Sequence, residues 1–190
     1  MQRIDCYQMI SPPMPVTLLG CQVEGKPNFM TAAWVTRVSV KPQLIGVAVA
    51  HTHRTTPGLR ETGTFSLCLP GPDLVEKTDY CGLVSGNTTD KSGLFDVFYG
   101  ELITAPLIRE CKLCLEVRLT QVVEIPTDDF YIGEIVAAWA DPAILTDGKP
   151  DVDKYQPLLL TVPDNHYRTL GPVVADAWSV GKRRKQGEHA

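Results

Sequence analysis

The sequence has no long apolar run. No stretch of its 190 residues approaches the roughly 20 consecutive apolar residues that a membrane-spanning helix needs. Near the start of the chain, Pro12, Pro13 and Pro15 interrupt any apolar segment of the kind found in signal peptides. These absences disfavour a membrane partner and a secreted protein, and we expect a cytoplasmic location.

Basic residues are also few. The formal net charge of the chain is −4. Residues 181–190 hold four basic residues and one acidic residue, so this segment has a charge of +3. The rest of the chain therefore carries −7, and a body this acidic binds nucleic acid poorly. We predict one domain over residues 1–180 and no nucleic-acid partner. The basic tail, residues 181–190, is predicted to be a disordered end rather than a phosphate-binding or nucleic-acid-binding arm.

Several motifs of common enzyme classes are missing. There is no Gly-x-Gly-x-x-Gly, no phosphate loop of the Gly-Lys-Ser/Thr type and no Gly-x-Ser-x-Gly. The six cysteines include one Cys-x-x-Cys, Cys111 to Cys114, which begins a predicted strand and has no second ligand pair for zinc. We therefore expect free thiols and no metal site. Cys81 is either a reactive thiol or a buried one.

Glycine and proline are more frequent than usual. The 15 Gly and 15 Pro make up about 16% of the chain, where about 12% is typical. Between these turn formers, apolar and alternating patterns predict six strands and two short helices. The strands are predicted over residues 16–23, 28–40, 43–50, 64–69, 113–125 and 130–140, and a surface loop over 85–100. One helix is predicted to begin at Pro57 and to stop at Gly63, and a second is predicted over residues 73–80. This order excludes a doubly wound parallel sheet and fits a small antiparallel barrel.

A polar segment, residues 50–57, lies between a buried strand and the first helix. It holds His51, His53 and Arg54, and then Thr55 or Thr56 as the residue that caps the helix. The first turn of a helix has free N–H groups and favours an anion, so these side chains could form a phosphate cradle. A capped helix beside ordinary polar loop residues explains the same pattern equally well.

A second candidate segment runs from Asn28 to Trp34. Its Thr31 is followed by the small Ala32 and Ala33, which would let the backbone approach a flat heteroaromatic ring, with Trp34 as a wall. The simpler interpretation, a strand with one core tryptophan, is favoured by the pattern alone.

Together these segments resemble a known family. The resemblance is carried by short motifs spread over residues 16 to 180. They are Leu18-Leu19-Gly20, Asn28 to Trp34, Ser39-Val40-Lys41-Pro42, Gly63-Thr64-Phe65, Asp79-Tyr80-Cys81-Gly82, Ser85-Gly86, Asp90-Lys91, Ala105-Pro106-Leu107 and Ile132-Gly133-Glu134. Their order and spacing resemble the flavin reductase-like family of FMN-binding split-barrel proteins, especially those of the flavoredoxin type.

The resemblance implies a mainly β fold, a six-stranded antiparallel split barrel with short capping helices. It also implies non-covalently bound FMN and a homodimer with the flavin near the subunit interface. It assigns three groups of residues. The flavin ring would lie against Asn28, Met30, Thr31, Ala32, Ala33 and Trp34, with Ser39, Val40 and Lys41 flanking it. The phosphate would lie on His53, Arg54 and Thr55, with Ser85, Gly86 and Lys91 closing over it.

The implied function is that of an FMN-dependent oxidoreductase in which the flavin carries the chemistry, so no catalytic side chain is expected. NADH or NADPH is one candidate electron donor. An alternative is a non-enzymatic FMN carrier between redox protein partners, and a third is a barrel without a cofactor. Two positions depart from the family pattern. Asp128 stands where relatives that use nicotinamide often have histidine, and Asn87 stands where an arginine often contacts the phosphate.

Overall fold

The computed structural model describes residues 1–5 and 11–182. The predictions for Cys6 and for tail residues 183–190 lie outside the described residues. The strands are, in chain order, β1 (Met14–Pro15), β2 (Thr17–Val23), β3 (Lys26–Ala32), β4 (Val35–Ser39), β5 (Leu44–Ala50), β6 (Thr64–Leu69), β7 (Val97–Phe98), β8 (Leu107–Ile108), β9 (Leu113–Glu124), β10 (Asp128–Ala140), β11 (Leu145–Thr146), β12 (Lys149–Pro150), β13 (Leu159–Thr161) and β14 (His166–Arg168). The helices are α1 (Thr55–Thr62), α2 (Val75–Leu83) and α3 (Val152–Tyr155), with 3₁₀ turns at Pro72–Leu74 and Pro142–Ile144.

The main sheet has seven strands in the order β3-β2-β6-β9-β10-β5-β4, and all its neighbours are antiparallel. The strands at its two ends, β3 and β4, are joined by only Ala33 and Trp34. Two residues span less than about 8 Å, so the two ends of the sheet must meet at this point. The sheet therefore curls into a barrel that is open where β3 and β4 diverge. The prediction of one continuous strand over residues 28–40 is wrong, because β3 pairs with β2 whereas β4 pairs with β5.

Both faces of β2 and β6 are buried. On β2, Leu19 points into the barrel and packs in one core cluster with Phe65 and Tyr131. The adjacent Leu18 points the other way and packs with Phe29 in a second cluster, under the segment around residues 94–108. Alternate residues of a strand face opposite sides, which explains why β2 is apolar almost throughout.

Helix α1 follows β5 and lies directly on β2. It begins at Thr55, with Arg54 in the N-cap position, and ends at Gly63, whose φ of 63° is left-handed. A side chain on Gly58 would approach the Gln22 carbonyl oxygen to 2.4 Å, so only glycine lets the helix pack this closely. This contact fixes where the N-terminus of α1 lies relative to the barrel.

The segment predicted as a surface loop, residues 85–100, is not entirely on the surface. Lys91 and Phe95 are buried, and Phe95 packs edge-on against Phe29 with their ring centroids 5.3 Å apart. The loop therefore covers one side of the barrel. Among the described residues, no helix is long and apolar enough to cross a membrane.

Candidate functional site

A cavity of about 170 Å³ lies where the N-terminus of α1, strand β3 and the C-terminal end of α2 meet. Its walls come from segments that are far apart in the sequence. It is lined by Asn28, Met30, Thr31, His53, Arg54, Thr55, Cys81, Gly82, Leu83, Val84, Ser85, Gly86 and Lys91. We call it the polar end of the site.

A second cavity, of about 260 Å³, adjoins the first and shares Met30, Thr31 and His53 with it. It is the more apolar of the two, and we call it the ring end. Its remaining lining residues are Ala32, Ala33, Trp34, Ala48, Ala50 and Asp128.

These two cavities bring together most of the residues that the sequence singled out. Of the fifteen predicted site residues, nine line the polar end and three more, Ala32, Ala33 and Trp34, line the ring end. Trp34 is 52% exposed, so it is not the core tryptophan of the simpler interpretation. Ser39, Val40 and Lys41 line neither cavity: Ser39 ends β4, and Val40 and Lys41 lie in the turn that follows it.

The main electrostatic feature of the polar end is Lys91. Its side chain is buried, and its Nζ donates hydrogen bonds to the carbonyl oxygens of Cys81 (3.3 Å) and Val84 (3.0 Å). No carboxylate among the described residues lies within 4 Å of that ammonium group. Burial lowers the pKa of Lys91, because the charged form loses water and the neighbouring Cys81 offsets only part of that loss. The polar end thus holds a buried positive charge that would favour an anionic ligand.

The first turn of α1 adds donors beside this charge. Asn28 reaches from β3 to donate from Nδ2 to Thr55 Oγ1 at 3.0 Å, which fixes both side chains at the helix N-terminus. Gly86 packs over them, since a Cβ at this position would lie 2.6 Å from Asn28 Oδ1 and 3.0 Å from Arg54 Cβ. The loop therefore closes over the helix end only because residue 86 is glycine.

Arg54 is placed differently from the prediction. It lines the cavity, but its guanidinium forms an ion pair with Glu24 in the β2–β3 turn at 2.6 Å, and this pair holds the pKa of Glu24 below its ordinary value. Asn87, which replaces an expected arginine, donates from Nδ2 to the carbonyl oxygen of Thr52 at 3.1 Å. It ties the loop to the end of β5 and supplies no charge.

His53 lies where the two ends of the site meet. Burial lowers its pKa, the charge of Asp128 raises it and that of Lys91 lowers it. The neutral imidazole is therefore favoured near pH 7, where it can both donate and accept a hydrogen bond.

A buried carboxylate supports this region from behind. Asp129 accepts hydrogen bonds from Arg60 (2.7 Å) and Tyr131 (3.0 Å), and lies 3.1 Å from the His51 ring nitrogen. It joins β10 to α1 and to the end of β5, next to Asp128 at the ring end. The hydrogen bond from Arg60 is the main reason that the pKa of Asp129 is lowered.

The sequence did not predict the wall that α2 supplies. The turn from Cys81 to Val84 lines the polar end, and its carbonyl groups hold Lys91. Thr31 donates from Oγ1 to the Thr78 carbonyl oxygen and so ties β3 to the same helix. Ala48 and Ala50 were not predicted either. The signal that could have found them is their small size on alternate positions of β5.

The five cysteines that the structure describes are all buried. Cys81 is buried at the wall of the polar end, and burial raises its pKa to about 11, which favours the neutral thiol. The other described cysteines are also buried free thiols. Within residues 1–5 and 11–182, no cluster of three His, Cys, Asp or Glu side chains is arranged to hold a metal ion.

Comparison with known proteins identifies the family. The family model for the flavin reductase like domain matches residues 9–171. The structure is similar to flavoredoxin from Methanosarcina acetivorans, with a TM-score of 0.94 and 50% identity over 97% of this chain and 100% of that chain. It is also similar to flavoredoxin of Desulfovibrio vulgaris (Miyazaki F), with a TM-score of 0.88 and 29% identity over 95% of this chain and 100% of that one.

A sequence relative supports the same assignment. An uncharacterized protein of Archaeoglobus fulgidus is 35% identical over 144 residues, which cover 74% of this chain and 80% of the relative. The predicted mainly β split-barrel fold is thus confirmed, with seven strands in place of six. The chain belongs to the flavin reductase-like domain family.

Proposed function

We propose that this protein is an oxidoreductase that binds FMN without a covalent link and transfers electrons through it. The observation that carries this proposal is the buried Lys91 ammonium, which has no carboxylate partner among the described residues and lies beside a helix N-terminus. A phosphate monoester would supply the missing negative charge. The similarity to two flavoredoxins, one of them 50% identical, supports a flavin as the rest of the ligand.

The residues present fit FMN at both ends of the site. At the polar end, Lys91 and Thr55 would hold the phosphate, and Gly86 leaves room for it. At the ring end, Ala32 and Ala33 line the cavity, and their small side chains would let a flat ring approach. The flavin supplies the redox chemistry when bound, and the protein supplies position, charge and exclusion of water.

Two sources of electrons are open to such a site. A nicotinamide would have to stack at the ring end, and its dinucleotide carries negative charge. Asp128 lies at this end and would repel the dinucleotide, which favours a redox protein as the electron source. The second candidate function, a non-enzymatic FMN carrier, would use the same source. We propose that the working unit is a homodimer, because Ser39, Val40 and Lys41 belong to no cavity of one chain although the family resemblance places them near the flavin.

The visible spectrum and anaerobic stopped-flow test this proposal. The purified protein, or the protein mixed with FMN, should show bound-flavin absorbance. Rapid bleaching by NADH or NADPH would support direct nicotinamide use. Bleaching only with a reduced redox protein, such as a ferredoxin, would support the carrier. A protein that is colourless once FMN has been added and the unbound FMN removed would refute both and leave a barrel without a cofactor.

A further inference from the structure

Residues 170–182 form a segment in which no residue is buried by the part of the chain that the structure describes. We call this segment the C-terminal arm. All its residues are exposed, including Val173 (78%), Val174 (98%) and Trp178 (94%). Residues 170–175 make no hydrogen bond to any described residue, and the backbone bonds of residues 176–182 stay within the arm. An arm this apolar needs a surface to cover it.

The arm leaves the barrel at a fixed point. Tyr167, at the end of the small sheet of β1, β13 and β14, donates a hydrogen bond to Asp79 Oδ1 of α2 at 2.9 Å. The root of the arm is therefore anchored to the helix whose last turn lines the polar end of the site.

The barrel has an uncovered edge that matches the arm. Strand β4 is the last strand of the seven-stranded sheet, so one row of its backbone N–H and C=O groups has no strand partner among the described residues. Trp34, Val38 and Val40, on and beside this strand, are 52%, 41% and 63% exposed. An open apolar edge invites pairing with an extended segment. We call this surface the β4 edge.

We propose that the C-terminal arm of one copy packs on the β4 edge of a second copy, and that the exchange is reciprocal. Each chain carries one arm and one edge, which is the self-complementarity that a two-fold interface requires. This inference rests on the proposed homodimer and adds the segment that forms it. Trp34 belongs to both the β4 edge and the ring end, so the partner's arm would also close the open side of the ring end.

The area of such an exchange is sufficient. The exposed apolar side chains of one arm present about 500 Å², taking about 100 Å² for an aliphatic side chain and about 200 Å² for tryptophan. Two arms and the two surfaces they cover would bury about 2,000 Å², whereas a stable interface buries about 1,200–2,000 Å².

Sedimentation velocity on the full-length protein tests the arm directly. The double variant Val174→Asp, Trp178→Asp should fold normally, since both side chains are exposed, and its dimer dissociation constant should rise at least about 100-fold. The control Ile103→Asp, which makes the same change at a 77%-exposed position outside the arm, should remain dimeric. Hydrogen exchange of the β4 amides that point away from β5 should be slower in the wild-type dimer than in the double variant.

Three results would overturn the proposal. If the double variant stays dimeric, another face forms the dimer, and the proposed function stands. If the wild-type protein is a monomer in which the arm is protected from exchange, the arm folds on its own barrel. If the arm becomes protected only when a reduced redox protein is added, its partner is that protein. The FMN absorbance of each sample, recorded separately, shows whether flavin binding survives.

Discussion

Replacing Lys91 with methionine tests the phosphate assignment most directly. The substitution keeps an unbranched apolar stem and removes only the buried ammonium. A hydrogen bond to a charged group contributes about 1.5–3 kcal/mol, and because Lys91 is only 5% exposed, solvent screens little of that. At 1.4 kcal/mol for each factor of ten, the dissociation constant for FMN should rise about 10- to 150-fold.

The assay compares two ligands that differ only in the phosphate. Titration of the flavin-free protein with FMN and with riboflavin, followed by flavin fluorescence, separates loss of phosphate binding from a general defect of the cavity. Lys91→Met should weaken FMN binding and leave riboflavin binding nearly unchanged. A matched control is Lys77→Met, because Lys77 also donates to a carbonyl group, that of Leu94, but lies outside the cavity and has Glu110 as its ion-pair partner.

Two outcomes would refute this reasoning. Equal losses for FMN and riboflavin would mean that Lys91 only supports the last turn of α2 through the Cys81 and Val84 carbonyl groups. Unchanged binding of both ligands would mean that the phosphate lies elsewhere. Thermal unfolding of the flavin-free variant should be measured in parallel, since those two carbonyl groups lose their donor.

Three further predictions concern the loop, pH and the supporting carboxylate. Gly86→Ala should weaken FMN binding, because its Cβ would push the loop away from the helix end, whereas Gly93→Ala, whose Cβ meets no atom within 4 Å, should bind FMN normally in the same titration. The FMN affinity of the wild-type protein should fall at an alkaline pH below 10.5, because burial lowers the pKa of Lys91 and the neutral amine no longer attracts phosphate. This fall should be absent from Lys91→Met. Asp129→Asn should lower the free energy of unfolding at pH 7 by about 1.5–3 kcal/mol in urea denaturation. The pKa of Asp129 is lowered in the folded state, so its stabilisation is present above pH 3.8 and is lost as the pH falls through the folded-state pKa. The free energies of unfolding of wild type and variant should therefore converge in acid. The control Asp128→Asn changes a partly exposed neighbour and should change stability much less.

Local patterns in the sequence were sufficient to predict the two longer helices and most strands of the seven-stranded sheet. The strand prediction for residues 64–69 matches β6 in full, and the first helix ends at Gly63 as expected. The division between β3 and β4 was not predictable, because neither Ala33 nor Trp34 is a residue type that breaks strands. It arises because β3 pairs with β2 and β4 pairs with β5 when the barrel closes.

The candidate site shows a similar division. The N-terminus of α1 was predicted from residues adjacent in the sequence. The sequence did not predict which cation faces the cavity without a partner, because that depends on segments far away in the chain. Arg54 is held by Glu24, thirty residues earlier in the β2–β3 turn, whereas Lys91 is held by carbonyl groups of α2 that leave its charge unneutralised. The family resemblance assigned both cations to the phosphate, and only the fold distinguishes them.

The two ends of the site differ in how completely one chain forms them. The polar end is enclosed by its own helix, loop and strand, and its charge is fixed by buried hydrogen bonds. The ring end is bounded by the half-exposed Trp34 at the open β4 edge. If the arm of a second copy covers that edge, loss of the dimer should weaken riboflavin and FMN by the same factor, since both share the ring. Loss of the Lys91 ammonium should weaken the binding of FMN alone. The ratio of the FMN and riboflavin affinities therefore distinguishes a defect at the polar end from one at the ring end.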